Sequence, residues 1–243
     1  MLKTFNTDIA SFQIPDKLVL FDGNQPHELC QLAVAELQQH LKNSHFFDHN
    51  FGLTNEKQTV IIGKMFGVLV VQSSSGLIGY LSAFSGKLGG KNNYPEFVPP
   101  VFDLLTEGSF LNTGMQELTK MNIQINDGQL HDMDLKALKA TRRLHSIALQ
   151  KQIFERYHLL NYSGDSKSLH TIFLDAGYKS PPAGAAECAG IKLLQYAFLN
   201  QMKPLALAEF WWGQSPKSDT WKHGKYYPCC KEKCAPILQH MLS

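Results

Sequence analysis

Residues 65–86, "MFGVLVVQSSSGLIGYLSAFSG", constrain the fold most: two apolar runs flank a cluster of serines and a glycine. Runs of this length, broken by small residues where the backbone must bend, read as two strands of a hairpin. Ahead of it, "PHELCQLAVAELQQHLK" (26–42) places Pro26 at a first helical turn and Leu29, Leu32, Ala33, Leu37 and Leu41 near helical spacing. Cys30 in this stretch reads as a small core residue. The following "HFFDHNFGL" sets His45 and His49 at i, i+4 around Asp48, a spacing that suits a metal on a helix. Its Phe, Asn and Gly content reads as loop, and the pair is not taken as ligands.

Beyond the hairpin, "GKLGGKNNYPEFVPPVFDLL" (86–105) is rich in Gly, Asn and Pro, as an ordered surface loop or a lip over a site would be. It lacks the Gly-x4-Gly-Lys-Ser/Thr order of a phosphate loop. From Met115 to about Leu160 the pattern turns helical, with a break at Asn126-Asp127-Gly128. Leu135, Leu138, Ile147, Leu149, Ile153 and Phe154 alternate with Lys136, Lys139, Arg142, Arg143, Lys151 and Arg156, giving a long basic amphipathic helix. The plain reading of its bases is a solvated face. The functional reading is contact with an RNA backbone, with Lys139, Arg142 and Arg143 foremost. A boundary is expected at "NYSGDSKS", dividing the chain into residues 1–162 and 163–243 unless the whole is one compact domain.

The final quarter holds four of the five cysteines. "LHTIFLDAG" reads as a strand, "AGIKLLQYAFLNQ" as an amphipathic helix, "PLALAEFWWG" as a buried strand and "PCCKEKCAPILQHML" as the start and body of a closing helix. This βαβα order puts Glu187 and Cys188 at one helix N-terminus and Cys230 and Cys234 around another. Unsatisfied N–H groups there favour thiolates, so zinc held by Cys188, Cys230 and Cys234 is the expected cofactor, with His223 as fourth ligand of a closed structural site. Reduced, metal-free packing cysteines are the competing reading. The ligand set needs sulfurs about 3.5 to 4 Å apart.

The same plan, a ligand with a nearby Glu at one helix start and Pro-Cys-x-x-Cys at another, resembles zinc-dependent nucleobase deaminases. There the Glu stands two residues after the ligand, a position held here by Gly190, and two residues separate the paired cysteines. Here three separate Cys230 from Cys234, and four separate Cys229 from Cys234. The catalytic candidates under this alternative are Glu187 and Glu209, the latter a carboxylate inside an apolar strand. Trp211 and Trp212 are either core and wall or a base-stacking platform.

A formal net charge of +2 and a pI near 8.2 decide nothing about nucleic acid. The N-terminus lacks an apolar signal core and no window is long enough to cross a bilayer, so a cytoplasmic chain without a membrane partner is expected. Thiols stay reduced in that compartment.

Six segments, "KMFGVLVV", "GYLSAFSGKL", "FVPPVFDLL", "RRLHSIALQKQIFERYHLLN", "PPAGAAECAGIKLLQYAFLNQMKPLALAEFWWG" and "YYPCCKEKCAPILQHML", together resemble the region preceding the catalytic domain in an extended subgroup of RluA-type pseudouridine synthases. The likeness runs in the same order from about residue 60 onward. In members of that subgroup one of the paired cysteines is replaced by a small residue, which implies Cys188, Cys230 and Cys234 as the working set and Cys229 as the spare. The resemblance also implies a role in modifying structured, ribosomal RNA beside a synthase catalytic domain. It implies no isomerase centre in these residues: the family's catalytic Asp lies in an Arg-Leu-Asp motif, and the nearest string, "RRLHS", offers His145 instead. The expectation is an accessory RNA-positioning domain, either part of a longer enzyme or a stand-alone relative.

Overall fold

A computed structural model describes residues 1–43, 51–53, 63–103 and 109–243; His45, Asp48 and His49 lie outside them. In chain order the elements are β1 (Val19–Leu20), α1 (Glu28–Asn43), β2 (Lys64–Gln72), β3 (Ile78–Phe84), α2 (Phe110–Asn126), α3 (Asp132–Arg156), β4 (His158–Leu160), β5 (Ser166–Ser168), α4 (Leu169–Asp175), α5 (Ala189–Leu199), β6 (Lys203–Trp212), β7 (Tyr226–Tyr227) and α6 (Ala235–Met241). The class is mixed α/β, as the sequence pattern predicts.

The main sheet runs β1-β6-β2-β3, with β7 also on β6. β2 and β3 form the expected hairpin, Phe66 facing Phe84 and Gln72 facing Ile78. β6 pairs antiparallel with β2 along its length, across the expected division at residues 162/163. Side chains alternate across this sheet. Phe66, Val68, Val70, Ala208, Phe210 and Trp212 face one core together with α1. Leu69, Val71, Leu81 and Leu207 face the other, under α5, α4 and α6. Both faces are covered, which is why β2 and β6 read as nearly unbroken apolar runs.

Cys30 is fully buried in the α1 layer, where burial pushes its thiol up to about 12. α2 and α3 pair with each other, and the C-terminal end of α3 meets the rest of the molecule at α4 and β5, with Phe154 entering the α5-side core. The break between them falls at 127–131, close to the expected Asn-Asp-Gly signal.

One predicted element is corrected. "LHTIFLDAG" forms helix α4 rather than a strand, because Ser168 caps it by accepting a hydrogen bond from Thr171 N (3.1 Å). Leu169, Ile172 and Phe173 then fall on one buried helical face. The strand contribution before it is the short β4–β5 hairpin, whose turn is the segment read as a boundary.

Gly67 sets the distance between sheet and α5. It lies opposite Glu209, and a Cβ there would stand 3.0 Å from Ala189 Cβ and 3.1 Å from Leu193 Cδ1. Gly67→Val is therefore expected to wedge the start of α5 off the sheet and to cost about 1–3 kcal/mol by urea denaturation. An unchanged midpoint would show that α5 is not held at that contact.

Candidate metal centre

α5 begins at Cys188, whose extended backbone (φ −67°, ψ 148°) makes it the cap residue. Two bonds from the end of β3 fix this start: Gly86 N donates to Glu187 O (3.0 Å), and Ala189 N donates to Ser85 Oγ (3.1 Å). The approach is strained, since Ala186 is buried with φ of 67°, a region costly for a residue with a Cβ. Cys234 caps α6, and Cys234 N donates to Cys230 O (3.1 Å). The three-residue spacing of Cys230 and Cys234 is thus one full helical turn, which brings their sulfurs to 3.5 Å. Cys229 falls outside that turn.

The sulfurs of Cys188, Cys230 and Cys234 all lie within 4.8 Å of one another, the convergence the sequence predicts. Tetrahedral zinc needs sulfur pairs about 3.8 Å apart, so the set fits the ion with a small contraction. Three thiols this close share protons. Hydrogen bonding among the three sulfurs, helped by the backbone N–H groups of Lys233 and Cys234, holds Cys230 below the ordinary thiol value. The complementary bond to Cys230 pushes Cys188 up to about 12, and Cys234 is also raised. Cys230 is the member shifted toward the thiolate, which is the form that ligates.

Beside the thiols sits Glu209, brought to the α5 face by the alternation of β6. Its Oε1 accepts from Gly190 N (2.8 Å), and the Cys229 sulfur lies on the same side of Gly190. Gly190 makes room: a Cβ there would lie 3.4 Å from Cys229 Sγ and 3.6 Å from Glu209 Oε1. Burial raises this carboxyl to about 7, the charge near Cys230 adds to the shift, and the Gly190 N–H opposes it. Cys229 is raised as well, chiefly by burial and then by the Glu209 charge.

The other predicted residues are placed differently. His223 is not a ligand: its Nδ1 accepts from Gly213 N (2.9 Å) and its ring packs on Trp212, 4.4 Å between centroids. Trp212 belongs to the α1-side core, the opposite face of the sheet from the thiols. Nor are Trp211 and Trp212 a stacking platform. Trp212 is buried, while Trp211 is stacked on Trp221 and donates to Gln214 O (3.2 Å). Glu187 turns away from the sulfurs, toward a narrow cavity that it lines with Gly86, Phe102, Tyr157 and Lys192. On α3, Lys139 and Arg143 are exposed, whereas Arg142 is half-buried and donates to Asn122 Oδ1 (2.8 Å), tying α3 to α2.

Lys192 escaped the sequence reading. Its ammonium donates to Phe84 O (2.9 Å) and Gly86 O (3.3 Å), locking α5 to the end of β3. Burial lowers it to about 8, against the attraction of Glu187 and Cys188. A single lysine inside "AGIKLL" was the available signal, since a charge on a buried helix face must find partners.

Comparison with protein families, curated proteins and solved structures finds no match for this chain.

Because Glu209 is raised above its usual 4.5, folding takes up a proton between about pH 4.5 and pH 7. Its contribution is fully present below the lower value and lost as pH rises through the upper, a change of at most about 3 kcal/mol. Metal-free protein is expected to lose thermal stability over that window, and Glu209→Gln to flatten the loss. Parallel melting curves for the two proteins would show an ordinary carboxyl at residue 209.

Proposed function

We propose that this chain is a zinc-stabilised accessory domain that positions structured RNA for a pseudouridine synthase of the RluA type. The observation carrying the RNA reading is one face of α3. Lys136, Lys139 and Arg143 follow i, i+3, i+7 spacing and are all exposed. Between Asp134 and Glu155 the helix has no acidic residue. Among the described residues, the ion pairs nearby use His145 with Glu117 and Lys151 with Glu155, leaving these three bases without a carboxylate partner. Such a row suits phosphates, which bind by displaced counterions and need no base-specific contact. The exposed Leu144 and Ile147 on the same helix offer an apolar contact for the synthase domain. Family likeness in the six quoted segments supports the assignment to RNA modification.

Purified protein is expected to retain a structured ribosomal RNA fragment in filter binding. The triple reversal K136E/K139E/R143E should weaken that retention at least about tenfold and lower the salt slope by about 2 to 3, with an unchanged circular dichroism spectrum. Equal retention by both proteins would remove α3 from the interface. The chain alone is expected to make no pseudouridine.

Zinc supports the same domain structurally by joining the starts of α5 and α6. Elemental analysis after chelator-free purification should give about one zinc per chain, falling to near zero in Cys188→Ser and Cys234→Ser. A metal-free wild type would leave these thiols as core packing.

A second reading, a divergent zinc hydrolase of the deaminase type, is favoured by Glu209 beside the thiols. Zinc would supply an activated water and the carboxylate would carry protons. Ammonia release from cytidine or adenosine nucleotides, abolished by Glu209→Ala, would establish it over the structural reading.

A further inference from the structure

Helix α3 is apolar on two opposite faces, and among the described residues only one is covered. Toward α2 it turns Arg142, His145 and Leu149, which meet Asn122, Glu117 and Gly114. Two positions along a helix is just over half a turn, so Met133, Ala137, Ala140, Leu144 and Ile147 run down the far side in alternating steps of four and three. All five are exposed, Met133 by 84%, Leu144 by 68% and Ile147 by 52%. Single apolar residues at a surface need no explanation, but a continuous row in coiled-coil register is a seam.

This seam is complementary to itself. Set antiparallel against a copy, Ala137 faces Ile147 and Ala140 faces Leu144, a small side chain opposite a large one, and symmetry repeats each pair. Charge selects that direction at the ends. The first turn carries Asp132 and Asp134 while Lys151 and Arg156 lie toward the last, so antiparallel helices bring opposite signs together and parallel ones stack like on like. Pairing over these turns would bury roughly 1,000 Å² in total, which just reaches the size of a specific interface. Lys136 and Arg143 border one side of the seam, and the antiparallel arrangement sets them beside the same residues of the copy.

We propose that α3 pairs antiparallel with α3 of a second copy of this chain along Met133, Ala137, Ala140, Leu144 and Ile147. The inference stands apart from the zinc and RNA readings. Its face is the one offered above to a synthase domain, so the dimer is the state of the chain by itself and that contact displaces it. In the dimer the two basic rows join into one strip across the two-fold axis.

Sedimentation equilibrium of the full chain tests this. Wild type should dimerise with a dissociation constant on the order of micromolar, and Leu144→Glu should raise it at least about a hundredfold. Met115→Glu, an equally exposed position on α2, should leave it unchanged. Because the flanking bases repel across the axis, the dimer should tighten several-fold between roughly 0.05 and 0.5 M salt. The reversal K136E/K139E/R143E keeps the seam and should still dimerise, so loss of RNA retention and loss of the dimer are read separately. A wild type that stays monomeric, a dimer unaffected by Leu144→Glu, a dimer broken by Met115→Glu, or one that weakens with salt would each overturn the pairing. The wild-type measurement needs no variant, so misfolding of Leu144→Glu would not protect the proposal.

Discussion

The pairing of β6 with β2 is the constraint on which the rest depends. β2 belongs to a local hairpin and β6 arrives from far along the chain, yet their hydrogen-bonded ladder forms the middle of the sheet. Once that register is fixed, alternation assigns every side chain of β6 to a face. Phe210 and Trp212 go to the α1 core, and Glu209 goes beneath α5. A slip of one residue would exchange these sets and place the carboxylate among phenylalanines. The register shift between Val70 and Val71 lies away from Glu209, so the Gly67–Glu209 pairing sits in regular ladder.

From that register the chemistry follows by short steps. Gly67 permits α5 to lie close, Lys192 fastens its inner side to β3, and the strained Ala186 delivers Cys188 to its start. α6 then brings Cys230 and Cys234 on adjacent turns of the backbone. A buried carboxylate and a cluster of thiols are individually expensive to place in an interior. Here the Cys230–Cys234 contact serves the thiols and the Gly190 N–H serves the carboxylate, and the three sulfurs together present donors that suit a soft divalent ion.

Much of this was legible in the residues. The hairpin, α1, the broken helical pair and the thiol set all left local signals: small turn residues, 3.6-residue spacing, and cysteines placed at helix starts. What could not be read was anything decided across the sheet. "LHTIFLDAG" carries an apolar run short enough for a strand, and only the Ser168 cap tips it to helix. His223 stands close to the cysteines in sequence but is separated from them by the thickness of the sheet. "AEFWW" contains both outcomes at once, since neighbouring positions point to opposite faces: Glu209 joins the thiols while Phe210 and Trp212 enter the other core. Charge along α3 was visible, but not that Arg142 would be taken by Asn122.

The late arrival of β6 also bears on how the chain is made. As synthesis proceeds, α1 and the β2–β3 hairpin can come together early, yet β2 keeps a bare edge and its Leu69–Val71 face stays uncovered until β6 and α5 have left the ribosome. Non-local strand pairing of this kind is slow, and an unpaired edge is a template for the wrong neighbour. Nascent chains halted before residue 203 should therefore be the forms that most need a holding chaperone.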